Sequence, residues 1–205
     1  MRIVVAGVAA LALLAGCSPS ASSETAANLA MPADAARPTD WAGFRDRFIA
    51  DWFKLDPANA VYQGKHEFDG KLPDWSAAGL KAQSDFLRGA IAEAKRFDAA
   101  KLSDADRFER QYLIKVAEGK LFWLDDADQP HTNPAYYVGG GLDPNVYIAR
   151  PYADKTVRMK AMIAFFDNIP TAAANIRANL KTPMPASFVN YGVNAFKGFA
   201  DFYTG

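Results

Sequence analysis

Cysteine is almost missing from this chain of 205 residues; the only one is Cys17, so no internal disulfide can form. Histidine is nearly as scarce. His66 and His131 are the only two, whereas a zinc site needs three or four suitably spaced ligands. His66-Glu67 is not followed by a second histidine one helical turn on, which excludes the His-Glu-x-x-His pattern. No metal or other cofactor site is therefore expected from these residues. Charge of one sign is also lacking: 23 basic residues balance 23 acidic ones, and nucleic acid, which calls for a basic footprint, is excluded as a partner. Alternating β-branched runs are absent, so no sheet is expected. No serine sits in a Gly-x-Ser-x-Gly elbow. Acidic residues are plentiful, but no spacing singles out a pair such as Asp126 and Asp143 for glycoside hydrolysis.

What is present begins with a leader. Arg2 supplies the positive end, and Ile3 to Leu14 form an apolar run too short to span a bilayer. Leu14-Ala15-Gly16-Cys17 resembles a bacterial lipoprotein lipobox. The resemblance implies that residues 1–16 are a signal peptide and that Cys17 carries lipid, making the bilayer a partner through the acylated cysteine. Two or more acyl chains anchor stably where one is marginal. Ser18 follows in place of the aspartate associated with inner-membrane retention, which points to the outer membrane and a periplasm-facing domain. Residues 17–38 are rich in Ser, Ala and Pro and read as a flexible tether. Residues 39–205 read as one helical domain.

The fold expected there is all-α, organised around Ser103 to Asp125. Ser103 is placed to cap this helix, with Asp106 three residues on. Ala105, Phe108, Tyr112, Val116 and Trp123 form one apolar row, and Leu113, Ala117, Leu121 and Leu124 a second. So much apolar surface predicts packing on more than one side. On that reading Trp123→Asp would cost several kcal/mol. Ser76 caps a preceding helix to about Asp98, and the short link between the two predicts an antiparallel hairpin. Further helices are expected from Trp41, from Pro57, over Lys155–Asn168 with a break at Pro170, from a Thr171 cap to Leu180, and over Ala186–Tyr203. Asp126 to Tyr152 reads as one long irregular segment, with a helical turn after Asp143-Pro144 and a Gly139-Gly140-Gly141 run. Tyr136, Tyr137 and Tyr147 in this segment are the candidate contacts for a peptide or sugar groove; the other reading has them packing the segment onto the helices.

Phe196, Phe199 and Phe202 on the last helix call for more covering surface than the earlier helices offer. An interrupted fold and a domain capped at Gly205 both account for this. The order of motifs then becomes informative. Asp56-Pro57, Lys71-Leu72-Pro73-Asp74-Trp75-Ser76, Leu102-Ser103-Asp104-Ala105-Asp106-Arg107, Asn133-Pro134 with the glycine run, Ile169-Pro170, Asn175-Ile176-Arg177-Ala178-Asn179-Leu180 and Pro183-Met184-Pro185 follow one another. From about Asp40 to Gly205 this resembles the N-terminal part of the bacterial DUF885 family. The resemblance implies a larger helical fold and a zinc metallopeptidase-like activity, with a His-Glu-x-x-Pro-Gly-His motif in the C-terminal half. No residue here matches that motif, so no catalytic role carries over. Zinc is implied only for the full-length form, and this chain alone is expected to be inactive. Its implied partners are the missing C-terminal catalytic portion and a peptide substrate. The alternative expectation is a free-standing helical envelope lipoprotein with a binding or structural role.

Overall fold

The computed structural model describes residues 40–204, so the leader, the lipidation site at Cys17 and the tether lie outside the described residues. Among the described residues every regular element is helical, and the fold is all-α. None of these helices is long and apolar enough to cross a membrane.

Helix α1, Trp41–Leu55, starts where the Asp40 carboxylate accepts from the Gly43 amide at 2.8 Å. Its Trp41 and Phe44 rings are buried around Phe97, with centroids 5.6 and 5.5 Å away. Trp41 Nε1 and Arg45 both donate to Glu109, at 3.2 and 2.9 Å, which ties the start of α1 to the hairpin. Helix α2, Pro57–Tyr62, follows at once, with Pro57 in the first turn, where its missing N–H costs nothing.

The hairpin forms as its caps predict. Helix α3, Ala77–Arg96, begins with Ser76 Oγ accepting from the Gly79 amide at 3.0 Å. Helix α4, Asp104–Leu121, begins with Ser103 Oγ accepting from the Asp106 amide at 3.2 Å. Arg110 Nε donates to the Ala94 carbonyl at 2.9 Å, and Arg47 reaches the buried Glu93 at 2.7 Å. A buried carboxylate needs such a partner, because an unpaired charge is costly in the interior.

The faces of α4 depart from expectation. Leu113, Ile114 and Ala117 are buried against the neighbouring helices, with Leu124 beyond them. The other apolar row is open: Phe108 is 69% exposed, Tyr112 62% and Trp123 54%. A single helix face can pack on α3, and no described residue covers the opposite one. The expected core role of Trp123 is thereby corrected, and with it the several-kcal/mol cost assigned to Trp123→Asp. Phe108 and Tyr112 stack on each other at 6.2 Å instead of under a neighbour.

Beyond Leu121 the helix widens into a π segment, Phe122–Asp126, closed by the Ala127 amide donating to the Phe122 carbonyl at 2.8 Å. The stretch expected to be irregular then contains three short helices: α5 (Gln129–Thr132), α6 (Ala135–Gly139) and α7 (Asn145–Ala149). Helix α8, Lys155–Asn179, passes straight through Pro170, so neither the break nor the Thr171 cap is found. Pro170 is exposed, and it cannot bond the Phe166 carbonyl one turn back. Past it, Ala172, Ile176 and Asn179 are buried and hold the last turns of α8 to the core. Helix α9, Ala186–Thr204, closes onto α6 through Gly192, where an added Cβ would fall 2.7 Å from Pro134 Cβ. Its Tyr191, Val193 and Phe202 side chains stay exposed.

Candidate functional site

One residue both ends α1 and starts α2. The Asp56 amide donates to the Trp52 carbonyl at 2.8 Å, while its carboxylate accepts from the Asn59 amide at 3.1 Å. This junction fixes the carboxylate at the neck of a cleft. Hollows of about 600 Å³ and about 320 Å³ both have Asp56, Lys120, Gly139 and Gly140 in their walls. The glycine run makes this close approach feasible. Gly141 has a φ of 131°, and a Cβ there would lie 2.6 Å from Ala58 Cβ on α2.

The far wall comes from α4 and its π segment. Lys120 Nζ lies 4.4 Å from the centre of the Trp52 ring, a cation–π contact. Trp123 and Leu124 border the smaller hollow together with Gln83, Gln129 and Tyr136. The π segment that presents them is held by Asp125, which accepts from Ser84 Oγ at 2.8 Å and from Arg88 at 2.7 Å.

Burial pushes the Asp56 carboxyl above its ordinary 3.8, against the opposing pull of the Asn59 amide and of Lys120. Burial likewise raises the Tyr136 phenol, helped by Tyr137 and by the Asp56 charge, so it stays a protonated donor. The raised carboxyl carries a stability consequence. Between 3.8 and the raised value the folded chain binds more proton than the unfolded one, so stability falls as pH rises through that window. Asp56→Asn removes this loss and keeps a competent helix cap. Its urea midpoint is expected to exceed that of the parent at pH 7 and to match it at low pH, where both states of the parent are protonated.

Of the three tyrosines singled out in the sequence, Tyr136 and Tyr137 meet edge to face at 5.2 Å, while Tyr147 packs elsewhere, against Phe165. Tyr137 is fully buried, donating to the Pro130 carbonyl at 2.6 Å and accepting from Asn179 Nδ2 at 3.1 Å. Its role is to pack α6 onto Trp75, 5.4 Å away in a T-shaped pair, and it is not exposed to a ligand. Tyr147 is buried too, its hydroxyl accepting from the Gly70 amide at 2.8 Å, although it borders the larger hollow. Tyr136 alone borders the smaller one. Asp56 and Lys120 were missed. The available signal was Lys120 itself, a cation one turn beyond Val116 and two beyond Tyr112 in an apolar row.

The described residues offer no zinc site. Among the described residues no three His, Cys, Asp or Glu side chains converge on a metal-sized space. His66 lies flat on Tyr152 at 3.5 Å, with Nδ1 3.1 Å from Asp69, whose second oxygen accepts from the Tyr152 hydroxyl at 2.8 Å. His131 bonds Asp128, which also accepts from Lys181 at 3.1 Å. Separately, an apolar groove of about 730 Å³ lies between α8 and α9, lined by residues such as Phe166, Ile169, Phe196 and Phe199.

Residues 57–204 match the model of a family described as a bacterial protein of unknown function, DUF885. No curated protein matches the chain. A solved structure of a candidate lipoprotein of unknown function from Shewanella oneidensis superposes with a TM-score of 0.70 at 24% identity over 78% of this chain. That likeness establishes a shared fold. The chain spans about 29% of the length of that structure.

Proposed function

The chain belongs to the bacterial DUF885 family, and from that premise we propose that it forms the substrate-facing helical wall of a larger envelope lipoprotein, a hydrolase of peptidase type. In this reading zinc, its ligands and the general base come from sequence outside these residues, and lipid on Cys17 anchors the protein to the outer membrane, facing the periplasm. The observation that carries the reading is the open aromatic face of α4, with Phe108, Tyr112 and Trp123, together with the exposed side chains of α9. So many large apolar side chains open on two helices are unusual on a finished monomer and fit a surface that is normally covered. The much greater length of the Shewanella relative, described as a candidate lipoprotein, supports the same reading.

The test compares the 205-residue chain with the reading frame extended downstream, both purified in detergent. Zinc content and hydrolysis of short peptides are measured. Zinc and activity are expected in the extended form only, with Cys17 as an acylated N-terminus in both. Stoichiometric zinc or peptide cleavage by the 205-residue chain would overturn the proposal in favour of a self-contained lipoprotein. A zinc-loaded extended form with no hydrolase activity would remove the peptidase assignment.

A further inference from the structure

Asp56 and Lys120 carry opposite charges in the walls of one cleft, yet among the described residues neither forms an ion pair. Almost every other buried or half-buried charge named here has a partner: Glu93 has Arg47, Glu109 has Arg45 and Asp128 has Lys181. An acid and an amine that line the same hollow without pairing leave room for a molecule with both complementary charges. The hollows fall within the size range of small-ligand sites, about 300–1,000 Å³. The smaller is walled by Trp52, Trp75, Trp123 and Tyr136, a setting for an apolar or aromatic side chain. The larger adds polar groups from Asn59, Asp143 and Asn145 to its wall. Gly139 and Gly140 border both hollows and carry no side chain to block a ligand crossing the neck.

We propose that this cleft binds a short zwitterionic peptide by its two ends. The free ammonium sits against Asp56, the terminal carboxylate against Lys120, and the first side chain occupies the aromatic hollow. The choice of a peptide among ampholytes rests on the hydrolase reading above; the charge arrangement does not. Burial favours the pairing, since a charge-assisted bond in a shielded cleft is stronger than one in water.

The probe is phenylalanyl-alanine, titrated into the full chain in detergent and followed by calorimetry. Saturable one-to-one binding is expected. N-acetylation or C-terminal amidation of the probe removes one charge each and should weaken binding by about tenfold or more. Asp56→Asn should weaken the free dipeptide while leaving the N-acetyl form unaffected. Lys120→Met should do the same with respect to the amide form. Circular dichroism midpoints confirm that each variant is folded, and the conservative Lys120→Arg, expected to retain binding, separates loss of charge from loss of structure. Equal affinity for the free and blocked probes, or no saturable binding, would overturn the proposal. If the dipeptide fails to bind while the extended form cleaves peptides, this site falls and the hydrolase reading stands. If the dipeptide binds with this charge dependence and the extended form is inert, the reverse holds.

Discussion

Trp75→Ala is expected to remove about 4 kcal/mol of unfolding free energy, whereas Trp123→Ala removes less than about 1 kcal/mol. The two residues are the same type and both border the smaller hollow, so the contrast isolates burial. Trp75 is 2% exposed and sits where three elements meet: the start of α3, α6 through Tyr137, and the end of α8 through Asn179, which donates to the Trp75 carbonyl at 2.7 Å. Truncation leaves a void ringed by groups that are fixed by their own hydrogen bonds, so collapse into the space is limited and the loss falls toward the high end for an aromatic. A domain with 5–15 kcal/mol in hand would lose a large share of it. Urea unfolding with an unchanged slope is the measurement. A similar midpoint for the two variants would mean that Trp75 is not the joint described here.

Gly79→Ala is expected to destabilise by about 2 kcal/mol, and Gly119→Ala to stabilise by about 0.5–1 kcal/mol. Helix propensity alone gives both the same favourable sign. Gly119 has no atom near the place where a Cβ would go, so propensity decides there. At Gly79 the new Cβ would lie 2.7 Å from Asp74 Cβ and closer still to the Asp74 carbonyl oxygen. That loop cannot retreat freely, because Asp74 also accepts from the Ser76 amide at 2.9 Å and Ser76 caps the helix. Opposite shifts in the thermal midpoints of the two variants are the expected outcome; two shifts of the same sign would refute the close approach.

The local signals in the sequence carried the helices and their starts. Ser76 and Ser103 act through amides three residues on, and Pro57 through its own ring, so a short window contains the whole cause. The burial of α4 was not legible in the same way. Its two apolar rows are equally apolar, and the choice between them is made by α3 and α1, which meet Leu113 and Ile114. Pro170 shows the limit from the other direction, because a local rule was overridden by the anchoring of Ala172, Ile176 and Asn179. The cleft was the least visible feature. Asp56 reads only as part of an Asp-Pro helix boundary, and the glycine run as part of an irregular segment; that they share a cleft with Lys120 is set by the packing of α2 and α4 against the 126–152 segment.

The widened turn at Phe122–Asp126 gives the surroundings a handle on that cleft. A π turn holds one residue more than an α turn would, and it is fastened by a carboxylate whose cationic partner, Arg88, is largely in solvent. The ionic atmosphere outside therefore acts on the orientation of Trp123, since added electrolyte screens that fastening. Deleting a single codon in this turn would let the backbone relax to ordinary helical winding and swing the wall residue by about 100°.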